Sequence, residues 1–111
     1  MSAENQYVVV LCTCPDDETG ATIAARLVDE GLAACVSRVP EITSTFRWEG
    51  RIEEEQEVLL VIKSAATRVD ELAERIRTLH PYELPEVIAV PVCGGLDGYL
   101  AWIGASLSPE T

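Results

Sequence analysis

Residues 32–64 of this 111-residue chain carry one nearly unbroken β pattern. β-branched, apolar and aromatic residues run over 33–39 and again over 42–48, and a second arm runs over 51–63. Glu49 and Gly50 between the arms have the length of a two-residue hairpin turn. Pro40 has no amide proton for the ladder, so a bulge or bend is expected where the first arm leaves the globule. Thr43, Ser44, Thr45, Arg47, Glu53, Glu54 and Glu55 make the outer half polar, whereas 58–62 is wholly apolar. The expectation is a ribbon with a solvated tip and a buried base, long for so small a chain.

The rest of the chain must supply neighbours for that base. Residues 7–14 are apolar on both faces and read as a central strand. Pro15-Asp16-Asp17-Glu18 opens a helix with carboxylates at its positive end, and Ile23, Ala24, Leu27 and Val28 give it an apolar stripe. Gly31 is placed to close it. Ser64 has the chemistry of an N-cap for a second helix striped by Val69, Leu72, Ala73, Ile76 and Leu79, ended by His80-Pro81. Residues 86–93 read as a last strand, Gly94-Gly95 breaks it, and Asp97 is expected to cap a short helix carrying Tyr99, Leu100, Ile103 and Leu107.

The order β-α-β-β-α-β plus a helix defines an α+β fold, a ferredoxin-like βαββαβ sandwich with a long β-hairpin and a C-terminal helix. One domain over 1–111, with an ordered core of about 7–107, is expected. In this count helices cover one sheet face only. Burying a few hundred Å² of the other at ~25 cal/mol per Å² is worth many kcal/mol, so self-association in a closed symmetric assembly is expected.

Charge narrows the partners. Eight basic against 19 acidic residues give a net charge of −11. Such a field repels nucleic acid and anionic membrane surfaces. No stretch is long and apolar enough to span a bilayer, and the N-terminal residues lack a signal-peptide pattern, so a cytoplasmic location with reduced thiols is expected.

Four cysteines and one histidine are the chemically distinctive side chains. Cys12 and Cys14 share a strand face, because side chains repeat every second residue. Their Cα atoms stand ~6.6–7 Å apart, beyond comfortable disulfide reach. They are small buried hydrophobes in the plainer reading, which we favour, and a soft-metal pair in the other. Cys35 and Cys93 lack the Cys-x-x-Cys spacing of a structural zinc site. His80 before proline reads as a helix terminator, or as a ligand where partners converge. Glu53, Glu55 and Glu57 share a face and are either a solvated strand or a loose cation site. Trp48 lies opposite Arg51 in a two-residue hairpin, but with Phe46 it better suits packing against a neighbouring protomer.

Several ordered segments together resemble the CutA divalent-cation tolerance proteins. They are Val9-Val-Leu-Cys-Thr-Cys-Pro-Asp-Asp-Glu18, Leu32-Ala-Ala-Cys-Val36, Pro40-Glu-Ile-Thr-Ser-Thr-Phe-Arg-Trp-Glu-Gly50, Glu57 with Lys63, His80-Pro-Tyr-Glu-Leu-Pro-Glu86 and Tyr99-Leu-Ala-Trp-Ile103. The resemblance implies a ferredoxin-like fold, a homotrimer in which the hairpins pair across subunits, and a role in tolerance of divalent metals, copper especially, with no enzymatic reaction. It implies Cys12, Cys35 and His80 as metal ligands. By similarity to the trimeric PII signalling proteins, it also implies an inter-subunit pocket near Trp48, Glu57, Lys63 and Tyr82 for a small ligand. The chain departs from some members at Arg75 and Leu79, where they carry further Cys and His, and Cys14 is an extra thiol. Thiolate ligation requires deprotonation, so metal affinity should rise with pH and fall as His80 protonates.

Overall fold

The computed structural model describes residues 6–109. Strands β1 (Tyr7–Cys14), β2 (Cys35–Trp48), β3 (Arg51–Ala65) and β4 (Ile88–Pro91) alternate with helices α1 (Asp17–Asp29) and α2 (Val69–Leu79), and α3 (Asp97–Ala105) follows. The sheet runs β2-β3-β1-β4 with every neighbouring pair antiparallel. This is the expected βαββαβ sandwich.

Local chemistry sets the boundaries. Asp16 caps α1, its carboxylate accepting the Thr19 amide at 2.8 Å. That bond holds its carboxyl below the usual carboxylate range. Gly31 ends α1 at φ +71°, with its amide donating to Val28 O and the Leu32 amide donating to Leu27 O. These two bonds make a Schellman closure. The β2–β3 turn has positive φ at both Glu49 and Gly50, as a primed two-residue turn requires. Pro40 does mark a bulge: the register shifts between Val39 and Ile42, and Glu41 takes φ +58°.

Three expected details differ. Ser64 is not a helix cap; β3 continues through Ala65, and the buried Ser64 hydroxyl donates to Leu32 O at 2.7 Å. The chain enters α2 through a 3-10 turn at Ala66–Arg68 instead. The last strand is shorter than 86–93, because β4 pairs only with Val8–Leu11 of β1. Asp97 is the first residue of α3, and Leu96 occupies the cap position without a side-chain bond.

The core lies between α1, α2 and one sheet face. Val8, Val10, Cys12 and Cys14 of β1 and Val58, Leu60 and Ile62 of β3 meet Ile23, Leu27, Leu72 and Ile76 there. The opposite face carries Val9, Leu11, Leu59 and Val61, flanked by Val39, Ile88 and Val90 at 41, 53 and 47% exposure. α3 reaches the end of this face near Tyr7, where a methyl added at Gly104 would approach the Tyr7 hydroxyl to 3.0 Å. The cover by helices is therefore partial rather than absent. Buried Arg68 ties that region down, donating to Gly31 O, Ser108 Oγ and the Ser108 carbonyl.

Candidate functional site

β1 alternation places Cys12 and Cys14 on the core face at its C-terminal end, both buried. His80 arrives from the end of α2. Pro81 forces it out of the helical region (φ −82°, ψ 139°), and its ring turns into the core toward β1. Nε2–H donates to Thr13 O at 2.7 Å, and Nδ1 accepts the Tyr82 amide at 3.1 Å. These two bonds fix the neutral Nε2–H tautomer. The Tyr82 ring packs on the imidazole with centroids 4.7 Å apart.

The two sulfurs and an imidazole nitrogen lie within 4.8 Å of one another. Among the described residues this is the one set of three His, Cys, Asp or Glu side chains close enough to hold a metal ion. The Cys12 thiol donates to Thr13 O at 3.8 Å. The neighbouring Cys14 sulfur and burial raise the Cys12 thiol, and Cys12 beside it lowers that of Cys14. Chemically the cluster is a soft donor set of two sulfurs and one imidazole.

The structure brings together two of the three expected ligands, Cys12 and His80, with Cys14 as the third member. Cys35 is not with them. Its β2 register pairs it with Lys63, which pairs with Val9, so its side chain lies on the opposite sheet face from Cys12. There its sulfur sits 3.8 Å from Lys63 Nζ. Cys93 is exposed. Position 75 carries an arginine that clasps Glu30 through two 2.8 Å bonds.

Directly outside the cluster, Thr13 forms part of the wall of a groove of about 880 Å³. The groove lies between the outer half of the ribbon and the 82–86 segment. Trp48, Glu57 and Tyr82 line it as expected, joined by Phe46, Glu53 and Glu55. Lys63 is not among the lining residues; its ammonium donates to Ser37 Oγ at 2.7 Å. Glu57 is buried and accepts the Tyr82 hydroxyl at 2.8 Å. Burial and the neighbouring carboxylates push the Tyr82 phenol up. The sequence pattern gave Glu53, Glu55 and Glu57 a common face, but not the facing 82–86 wall, which only the fold supplies.

An antiparallel ferredoxin-like sheet with a thiol–imidazole cluster at the end of its first strand defines a small α+β domain. The family of the CutA1 divalent ion tolerance protein matches residues 8–106. The chain is 47% identical over 95 residues to the divalent-cation tolerance protein CutA of Thermus thermophilus, covering 86% of this chain and 92% of that protein. The crystal structure of CutA1 from Oryza sativa superposes with a TM-score of 0.93 at 39% identity, over 98% of this chain and all of that one (100%). A CutA from Archaeoglobus fulgidus, described as a periplasmic divalent cation tolerance protein, superposes at 0.89 with 33% identity, covering 92% of this chain and 99% of that one. The chain belongs to the CutA1 divalent ion tolerance family.

Proposed function

We propose that this chain is a homotrimeric metal-tolerance protein that binds divalent cations, copper foremost, at Cys12, Cys14 and His80. The observation that carries the reading is the buried convergence of these three side chains within 4.8 Å. The donor set fits a soft or borderline cation, since thiolate and imidazole are the ligands such ions prefer. His80 joins by giving up one of its two hydrogen bonds, to Thr13 O or from the Tyr82 amide. Cys35 stands outside this set, held against Lys63 on the other face of the sheet.

The reading is of a binding protein rather than an enzyme. The relatives are named for tolerance and not for a reaction. The trimer rests on the apolar open face, whose Val39, Ile88 and Val90 are each two-fifths or more exposed in one chain. The cytoplasm rests on thiol chemistry, because Cys12 and Cys14 serve as ligands only when reduced.

Copper titration of the full chain tests the ligands. Cys12→Ser and His80→Ala are expected to weaken binding at least tenfold, and Cys35→Ser to leave it unchanged. Loss of binding in Cys35→Ser with retention in the other two would overturn the assignment.

A second reading is favoured by the groove: a module that binds a small ligand beside Trp48, Glu57 and Tyr82, as the PII-like trimers do at their subunit clefts. Its support is the size of the groove and the exposed indole on its wall.

A further inference from the structure

His80 is held between two backbone groups of fixed sense. The Thr13 carbonyl can only accept, so it takes Nε2–H, and the Tyr82 amide can only donate, so it takes the lone pair on Nδ1. A neutral imidazole has one N–H and one ring lone pair to share, and here both are spent. Ligation needs a lone pair, and the ring can supply it in two ways. With Nδ1 as the ligand, its lone pair leaves the Tyr82 amide, while Nε2–H stays on Thr13 O, the backbone support usual for a ligating histidine. With Nε2 as the ligand, the ring proton passes to Nδ1, which then has no lone pair for the amide. The Tyr82 bond is lost in either case, and the Thr13 bond only in the second.

Tyr82 also ties down the 82–86 wall of the groove. Among the described residues, the hydrogen bonds made by 81–86 are the two from Tyr82: its amide to His80 Nδ1 and its hydroxyl to the buried Glu57 carboxylate. Neither a helix nor a strand ladder supports this stretch. The Tyr82 ring packs on the imidazole as well, with centroids 4.7 Å apart. One residue thus links the cluster in the core to the segment outside it, through contacts that lie wholly within one chain.

We propose that metal loading of the cluster releases the Tyr82 amide from His80 Nδ1, so that Tyr82 couples occupancy of the site to the 82–86 segment. The inference rests on the metal reading of Cys12, Cys14 and His80 and adds its consequence outside the core. The coupling is reciprocal, so whatever fixes the segment against Glu57 opposes loading.

Copper(I), which is diamagnetic, added without oxygen to the full chain in its native assembly, is the probe. Amide hydrogen exchange read by NMR is expected to quicken about tenfold at Tyr82 on loading, the loss of one hydrogen bond. It should stay unchanged at Leu32, whose amide donates to Leu27 O at the end of α1. The long-range proton–nitrogen spectrum of His80 should show Nδ1 either copper-bound or protonated. Tyr82→Phe keeps the amide and the ring packing but drops the bond to Glu57. It should bind copper(I) several-fold more tightly, whereas loss of a merely structural tyrosine would weaken binding. A loaded protein whose Tyr82 amide exchanges at the unloaded rate, or whose Nδ1 remains a free acceptor, overturns the proposal. So does a Tyr82→Phe variant that binds no more tightly than wild type. Copper(I) that fails to bind, or that binds equally well to His80→Ala, overturns the metal reading itself and the inference with it.

Discussion

At the scale of single residues, backbone sign and side-chain parity carry most of the argument. Gly31 sits at φ +71°, and a methyl there would come within 2.5 Å of Ser108 Cβ and 2.6 Å of its amide nitrogen. Gly31→Ala therefore combines a left-handed backbone with a clash against main chain, and is expected to cost about 2 kcal/mol or more in urea unfolding. An unchanged midpoint would refute that. Parity explains what could be read of the cluster beforehand. Cys12 and Cys14 share a strand, so their common face follows from spacing two. Cys35 lies on another strand, and its face depends on the β2–β3 and β3–β1 registers, which no local pattern encodes. The resemblance grouped Cys12, Cys35 and His80; the fold separates Cys35 from the others by the thickness of the sheet.

At the scale of elements, caps and clasps join what the strands arrange. Glu30 at the end of α1 is held by Arg75 of α2, whose hydrogen bonds keep the Glu30 carboxyl below its ordinary range and raise the guanidinium. A carboxyl with a depressed folded pKa contributes stability that is complete above its unfolded pKa, about 4.3. That contribution is lost as pH falls through the lower folded value. Arg75→Met should therefore lower the urea midpoint at pH 7 and narrow the gap between pH 7 and pH 3 relative to wild type. An equal gap in both proteins would show that the clasp adds nothing to acid sensitivity. The ribbon was legible as an element because its turn, its bulge at Pro40 and its apolar base each have local causes. The start of α2 was not. A serine after an apolar run suits either a cap or a buried strand residue, and the bond from Ser64 to Leu32 O decides for the strand. Residues 86–93 look uniformly strand-like, but β1 offers β4 only Val8–Leu11 to pair with.

At the scale of the whole molecule, the sheet separates two tasks. One face builds the core and holds Cys12, Cys14 and His80 within a single chain. The other leaves Val39, Ile88 and Val90 partly exposed, the surface on which the proposed trimer rests. Sedimentation is expected to give the mass of three chains at micromolar concentration. Ile88→Glu, at a position 53% exposed in one chain, should shift the protein to monomers that stay folded. A wild-type chain that sediments as a stable monomer would contradict the assembly. The metal assignment does not depend on that outcome, since all three proposed ligands come from one chain. X-ray absorption at the copper edge on the loaded protein probes it most directly. The account predicts a first shell of two sulfurs at about 2.3 Å with one imidazole nitrogen. A shell of oxygen and nitrogen alone would contradict it.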